Sequence, residues 1–383
     1  MERIIKIGID VHSKEHVLCA IEVVYGNEPR ILGERKVPAD FRHVLAFVQE
    51  IAEMYKDQNG LHDVNIECGY EAGCLGYSLY NQLMGAGIKC VILAPTTMME
   101  ERGRRVKTDA RDARQIARCL AFNVYKPVHV LDDEDHGVRS YVRMRNDKKK
   151  ARRILMQQLT AHLRLLGLQY EGTKWTQAHL KWLKDIQKEI LNDYDLLVLQ
   201  EQLADYESLT ADIERYNAEI ENIAQMPRYA KAKELGCLLG MTALSAVAVM
   251  AEIGDFERFD KGNIFAAYLG LAPGEHSSGD HVRRTGISKA GNSALRRLLT
   301  EASQSICRGA VGHKSKALKA RQAGNAPEII AYADMANKRL RKKYYKLISQ
   351  GKPRNVAVAA VARELACFIW GIMTGHTQRR QAA

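Results

Sequence analysis

The sequence predicts an α/β amino-terminal region, a helical middle region and a mainly α-helical carboxyl-terminal region. Three observations predict this class: β-branched runs alternate with helical spacing early in the chain, a heptad pattern follows, and alanine- and glycine-rich helical segments come last. We place the three regions at 1–131, 132–226 and 227–383. The chain has 383 residues, of which 46% are hydrophobic, and this is enough to form buried cores in more than one domain.

The first region begins with three predicted strands, Ile4–Asp10, His16–Val24 and Ile31–Val37, which are rich in β-branched residues. Helical spacing of apolar residues then predicts a helix over Ala39–Tyr55. The remaining predicted elements are a strand at Val64–Ile66, a helix at Gly76–Ala86, a strand at Lys89–Leu93 and a helix at Thr108–Ala121. Three strands, a helix and then strand–helix alternation is the order of the RNase H-like fold.

Four carboxylates stand where this order brings elements together: Asp10 ends the first strand, Glu71 ends a later one, and Asp109 and Asp112 open a helix. Residues three apart lie on one helix face, so this pair can join the two strand-end acids at one point. Hard divalent cations such as Mg²⁺ need such a set of oxygen ligands. Two alternatives remain open: Glu67 is a rival to Glu71, and the helical pair is also compatible with a simple interaction with the helix dipole.

His12 lies two residues after Asp10. We expect it to form a hydrogen bond at the end of the first strand, and contact with DNA or a metal is the alternative.

Basic residues predict a nucleic-acid partner. Lys and Arg exceed Asp and Glu by 57 − 45 = 12, and the segment His281–Arg354 alone holds 18 Lys or Arg against 3 Asp or Glu. Such a segment is typical of phosphate contacts with DNA or RNA. A second basic stretch precedes the helical acids, and a solvated loop is an equal alternative there. The predicted nucleic-acid-binding residues are Arg102, Arg104, Arg105, Lys107, Arg283, Arg284, Lys289, Asn292, Arg296 and Arg297.

The middle region has the pattern of long helices. Apolar residues follow a 3, 4 spacing from Tyr206 to Ile223, which is a heptad pattern, and leucines occupy one face of a predicted helix over Arg152–Leu166. The segment Tyr170–Thr173 is the predicted link between the long helices. We interpret the region as an antiparallel coiled coil that spaces or dimerises the protein, with an ordinary helical bundle as the alternative.

The third region is strongly helix-forming over Ala230–Ala251, with interruptions at Gly236 and Gly240. These glycines fit either the turns of a helix-hairpin-helix, which bring backbone amides close to phosphate, or a close contact between helices. The apolar stretch Val356–Met373 is broken by charged residues and predicts a packed terminal helix rather than a membrane span.

Cysteine usage and the amino terminus predict a cytoplasmic protein. The 8 cysteines form no C-x-x-C pair, and most lie in apolar contexts typical of free thiols in a reducing compartment. The amino terminus has no apolar core of the secretory type.

Short motifs along nearly the whole chain resemble the DEDD-type transposases of insertion sequences (family 110, subgroup 1111). Each motif is short, but together and in this order they are highly specific. The motifs are Gly8-Ile9-Asp10-Val11-His12, Tyr70-Glu71-Ala72-Gly73, Lys107-Thr108-Asp109-Ala110-Arg111-Asp112-Ala113, Ala251-Glu252-Ile253-Gly254-Asp255-Phe256, Leu269-Gly270-Leu271-Ala272-Pro273, Ser277-Ser278-Gly279 and Ile287-Ser288-Lys289-Ala290-Gly291-Asn292.

The resemblance implies a RuvC-like amino-terminal domain whose four acids bind Mg²⁺, a coiled-coil middle and a carboxyl-terminal transposase domain. It implies that Ser278 is a nucleophile that forms a phosphoserine link with DNA, although the adjacent Ser277 leaves a one-residue ambiguity. It also implies donor and target DNA as substrates, a structured bridge or seeker RNA as a guide, and dimers that assemble into tetramers in the bacterial cytoplasm. The sequence departs from the family pattern at Ala110, where Arg is commoner, and at Met241, which follows Gly240 in place of a second turn glycine.

Two other functions fit the same residues less well. A metal-only, junction-resolving nuclease needs the four acids but not Ser278. A non-catalytic scaffold that binds RNA or DNA needs only the basic surface.

Overall fold

A computed structural model describes residues 3–24, 26–55, 64–73, 75–98, 109–275 and 284–377. The chain forms two compact units, Met1–Val130 and Leu131–Ala383. The predicted further boundary at residue 226 stays a prediction.

The first unit is built on a mixed sheet of five strands in the order β3-β2-β1-β4-β5. Strands β1, β2 and β3 pair antiparallel, whereas β4 is parallel to both β1 and β5. The elements of this unit are β1 (Arg3–Val11), β2 (Glu15–Glu22), β3 (Arg30–Pro38), α1 (Phe41–Tyr55), β4 (Val64–Glu71), α2 (Ser78–Gly85), β5 (Lys89–Leu93) and α3 (Asp109–Ala121).

Apolar side chains cover both faces of this sheet, as alternation along the strands requires. On one face, Ile7 and Ile9 of β1 belong to an apolar cluster with Val44 of α1 and Leu83 of α2. On the opposite face, residues of β2 pack with Ala113 and Ala117 of α3. The sheet therefore lies between α1 and α2 on one side and α3 on the other.

The predicted strand at Val64–Ile66 is wrong in length, because β4 continues to Glu71. The extension contains Glu67 and Gly69, which are residue types that strands disfavour. Glu67 is nevertheless buried because Lys6 of β1 and Lys89 of β5 pair with its carboxylate from both sides. The strand continues past Glu67 because these two lysines compensate the charge of its carboxylate.

In its described part, the second unit is mainly helical, with one small sheet of two antiparallel strands. Its elements are α4 (Asp133–Leu165), α5 (Gln177–Asp185), α6 (Asp193–Ile223), α7 (Lys231–Leu235), α8 (Ala243–Ile253), α9 (Gly262–Tyr268), β6 (Pro273–Glu275), β7 (Arg284–Ile287), α10 (Ser293–Ile306), α11 (Lys316–Gln322), α12 (Pro327–Ser349) and α13 (Arg354–Met373).

Helices α4 and α6 lie antiparallel, since Lys148 at the middle of α4 bonds Asp212, whereas His162 near the carboxyl end of α4 contacts the Asp195 carbonyl near the amino end of α6. Helix α4 begins at Asp133, well before the predicted start at Arg152. The connection is also longer than predicted, because α5 lies between the two helices. Most of the heptad positions of α6 are buried. Coiled-coil packing as such stays a prediction.

The core of this unit centres on α8 and α13, which are buried along most of their length. Among the described residues, α13 is the one helix long and apolar enough to cross a membrane, and 56% of its apolar window is buried within the protein. It packs against α9, α10 and α12, as expected of a packed terminal helix.

Gly240 has a positive φ of 84° and lies against the backbone of Ala302 in α10, where any side chain would overlap that backbone. This contact favours the close approach between helical segments over the helix-hairpin-helix alternative.

Candidate active site

The parallel pairing of β1 and β4 places their acids at the same edge of the sheet. Lys6 is level with Glu67, and Gly8 is level with Gly69. Because strand side chains alternate between faces, Asp10 points to the same face as these residues. Glu71, the last residue of β4, follows the same alternation.

Two glycines allow α3 to lie directly on this face. A side chain on Gly8 would overlap the backbone of Ala113 and Ala117, and one on Gly69 would press on the Leu93 and Leu120 side chains. Because α3 lies this close to β1, its first turn, with Asp109 and Asp112, lies near the end of that strand.

The acids gather around Asp10. His12 Nε2 lies 2.9 Å from Asp10 Oδ2 and 3.7 Å from Asp109 Oδ1, and the ligand atoms of these three residues all lie within 4.8 Å of one another. Burial raises the pKa of Asp10, and the carboxylates of Asp112 and Asp109 raise it further, against the lowering effect of His12. Glu71 ends β4 at the same sheet edge and is exposed, but neither its carboxylate nor that of Asp112 belongs to the group of ligand atoms within 4.8 Å of one another.

Within the part of the chain that the structure describes, positive charge near this cluster is limited. Among the described residues, the only ion-pair partner of Asp10 is His12. Lys36 interacts with Asp109, but its main partner is Glu15. A divalent cation fits the arrangement, because carboxylate oxygens are its preferred ligands and it would offset the repulsion at Asp10.

Glu67 and Glu71 differ in what surrounds them. Burial raises the pKa of Glu67, but the ammonium groups of Lys6 and Lys89 outweigh this effect and the pKa is lowered overall. A carboxylate neutralised by two lysines is a poor metal ligand, so Glu67 is the weaker candidate of the two, and metal binding by Glu71 stays a prediction.

The sequence left the part of His12 in this cluster open, since we expected a hydrogen bond at the strand end and kept contact with DNA or a metal as the alternative. That hydrogen bond is present, to Asp10. The available signal was the spacing of two residues from Asp10, which directs both side chains to one side of an extended chain.

Several predicted residues lie outside the described part of the chain. They are Ser277, Ser278, Arg102, Arg104, Arg105, Lys107 and Arg283. Arg284 belongs to β7, but only its backbone is described.

The predicted nucleic-acid-binding residues from Lys289 to Arg297 are described, and two of them, Asn292 and Arg296, make hydrogen bonds within the protein. Asn292 caps α10 through its Oδ1 atom, and its Nδ2 atom donates to Glu252 at 2.7 Å. Arg296 donates to the Leu269 carbonyl at 3.0 Å. Lys289 and Arg297 are exposed. Nucleic-acid binding by these four residues stays a prediction.

Glu252 connects its own sequence motif with the motif that ends at Asn292 and with helix α4. It is buried, it receives two hydrogen bonds of 2.7 and 2.9 Å from Arg143 of α4, and it accepts the bond from Asn292. Gly270 and Gly291 add a second connection, because each has a positive φ and lies against the backbone of the other motif. Together these contacts fix described segments that precede and follow Ser278 in the chain.

A cluster of cations lies between α4 and α10. Burial lowers the pKa of Lys149, and Arg145, Arg152 and Arg297 lower it further, while Glu301 opposes them. Cations that repel one another are the expected surroundings of a bound phosphate.

A mixed sheet with carboxylates at the ends of its central strands, covered by an acid-bearing helix, is the arrangement of RNase H-like domains that process nucleic acids. A model of the transposase IS116/IS110/IS902 family matches residues 232–317, and a DEDD transposase model of the IS110 group matches residues 7–167.

Full-length relatives agree. The chain is 31% identical over 370 residues to y4qE of Sinorhizobium fredii, named as a transposase, covering 96% of this chain and 87% of the relative. It is 27% identical over 368 residues to the transposase for insertion sequence element IS1533 of Leptospira borgpetersenii, covering 91% and 97%. It is 25% identical over 315 residues to the transposase for IS1111A of Coxiella burnetii, covering 79% and 76%. The chain belongs to the IS116/IS110/IS902 family of transposases, which act on DNA.

Proposed function

We propose that this transposase is an RNA-guided, site-specific DNA recombinase that exchanges strands through a phosphoserine intermediate, assisted by Mg²⁺. The observation that carries the proposal is the gathering of Asp109 and Asp112 at Asp10, in a chain of a DNA-recombining family.

Asp10, Glu71, Asp109 and Asp112 are the proposed metal ligands. His12 orients Asp10 through its 2.9 Å contact and limits the ways in which the carboxylate can turn. Bound Mg²⁺ would supply a Lewis acid that stabilises the charge developing on a phosphodiester. The partial burial of Asp10 strengthens this effect, because fewer water molecules screen the charges.

Ser278 is the proposed nucleophile. Its Oγ atom forms a bond to phosphorus as the bond to the leaving deoxyribose oxygen breaks, the hydroxyl proton is released, and the leaving oxygen takes up a proton to become a free hydroxyl. The phosphoserine link conserves the energy of the phosphodiester, so a second DNA end can displace the serine without ATP. The hydrogen bond between Asn292 and Glu252 fixes a segment that follows Ser278 in the chain, and this supports the proposal.

A structured RNA is the proposed source of sequence specificity, by analogy with other guided systems in which the protein contacts backbone and shape. The family resemblance supports this part of the proposal. The cation cluster around Lys149 and the exposed Lys289 and Arg297 supply phosphate-binding surface for RNA and DNA. We further propose that dimers assemble into tetramers on donor and target DNA in the bacterial cytoplasm, with acids and serine from different subunits in one site.

Trapping of a covalent adduct tests the chemistry. We expect DNA to remain attached to the protein on a denaturing gel, and Ser278→Ala to abolish the adduct. Ser277→Ala is the matched control, because it removes the neighbouring hydroxyl and should leave the adduct in place. Unchanged strand cleavage in both single variants and in the double variant would favour a metal-only nuclease.

Sequencing of the RNA that copurifies with the protein tests the guide. We expect one structured species with loops complementary to both element and target DNA. Random cellular RNA, with unchanged target choice after nuclease treatment, contradicts this part of the proposal and leaves the serine chemistry unaffected.

A further inference from the structure

A cavity of about 480 Å³ opens at the same sheet edge as the acid cluster, on the opposite face of the sheet. Its lining includes Val11, His16 and Tyr70, which alternate with the acid-bearing positions of β1, β2 and β4. His12 also lines it. Since His12 contacts Asp10 as well, this residue borders both the cavity and the acids.

His16 is the buried polar group inside the cavity. The residue is only 6% exposed, and its Nδ1 atom has no hydrogen-bond partner of normal geometry within the described ranges, although the backbone of Glu15 interacts with the ring. Burial lowers the pKa of His16. A buried ring nitrogen without a partner is costly, and a ligand that donates to it or accepts from it would remove that cost.

The walls combine apolar surface with the amino terminus of α2, while before α1 the Asp40 carboxylate, also in the lining, accepts a hydrogen bond from the backbone N–H of Arg42. Tyr70 and Leu79 provide apolar surface, and the Tyr70 hydroxyl bonds the Gly76 carbonyl and so fixes the adjoining loop. Ser78 and Leu79 form the first turn of α2, whose N-cap side chain makes no capping hydrogen bond. Such an amino terminus favours a phosphate. Arg42 adds a cationic side chain to the lining.

We propose that this cavity binds a nucleotide, whose base contacts His16 and Tyr70 and whose phosphate lies at the first turn of α2. The inference rests on the proposed function in one respect, which is the path of the DNA. A DNA strand bound at the acids would pass His12 and place a neighbouring extruded nucleotide in the cavity. Enzymes that act on nucleic acids commonly hold a flipped nucleotide in such a pocket. The volume is in the range of small-molecule sites.

Saturation-transfer NMR of the full chain with nucleoside 5′-monophosphates tests the site. We expect saturation of the base protons, and we expect Leu79→Trp, which fills the cavity, to abolish it. His16→Phe keeps the ring volume and removes Nδ1, so it should weaken binding about tenfold. His43→Phe, at an exposed position of α1 outside the cavity lining, is the matched control and should bind as the parent does.

A comparison of two nucleotide types and one further variant complete this experiment. Deoxyribonucleotides and ribonucleotides are compared, because either preference supports the site and identifies DNA or RNA as its source. Gln82→Leu changes an exposed residue of the lining, so a several-fold loss of binding is expected even if Leu79→Trp fails to fold. Absence of base saturation in the parent, or equal binding by all folded variants, overturns the proposal. The assay involves no strand cleavage, so binding without a covalent adduct overturns only the proposed serine chemistry.

Discussion

The two ends of one sheet face in the amino-terminal unit treat carboxylates in opposite ways. At one end, Glu67 lies between Lys6 and Lys89, and its pKa is lowered although burial raises it. At the other end, Asp10 lies near Asp109 and Asp112, and its pKa is raised. The same strands therefore carry one carboxylate that is stabilised as an anion and one that is not.

The difference separates a structural charge from a functional one. A pair that is complete within the protein stabilises the folded chain and offers nothing to a ligand. A group of acids with too little positive charge around it costs stability and gains from a bound cation. Substitutions at the two ends should therefore have opposite effects on stability and activity.

The largest expected effect is on catalysis at the Asp10 end. Asp10→Asn keeps the shape of the side chain and removes a metal ligand, so we expect strand cleavage to fall by about 10²–10³ or more. The free energy of unfolding should stay the same or rise, because repulsion from Asp109 and Asp112 is relieved. Single-turnover cleavage and urea denaturation of the same preparation measure both. Loss of cleavage with equal loss of stability contradicts a functional role.

The next largest expected effect is on stabilisation by a metal ion, which should depend on Asp10 and not on Glu67. Addition of Mg²⁺ or Mn²⁺ at 100 times its Kd should stabilise the parent by about 2.7 kcal/mol, which a thermal shift at increasing metal concentrations records. Asp10→Asn should lose this response. Glu67→Gln should keep it, since that carboxylate is occupied by two lysines. An equal response in both variants would place the metal elsewhere.

Glu67→Gln should have the converse effect on folding. The change leaves Lys6 and Lys89 without their shared partner, and we expect a loss of about 1–2 kcal/mol in urea unfolding, at the low end for buried pairs because Lys89 is largely exposed. Cleavage per folded molecule should be retained. Glu50→Gln, in the exposed pair with Arg35, is the matched control and should change stability less.

Much of this arrangement was predictable from local sequence, because each acid ends a strand or opens a helix. The limit of β4 was not, since Glu67 stays in the strand only because lysines from two neighbouring strands pair with it. The start of α4 was not predictable either, because the first half of this helix is rich in charged residues and has no continuous apolar face in the sequence. The cavity at His16 could not be predicted from the sequence, because residues of β2, α1 and α2 line it together and no sequence motif contains all three elements.

The smallest expected effect is in the pH dependence of stability. The folded pKa of Glu67 is lowered, so its contribution is fully present above the unfolded pKa and is lost as pH falls through the folded value. The difference in unfolding free energy between the parent and Glu67→Gln should therefore shrink steadily when urea titrations are repeated from about pH 7 to about pH 3. A difference that stayed constant over this interval would mean that the lysines do not hold Glu67 as an anion, and the contrast between the two ends of the sheet would then rest on Asp10 alone.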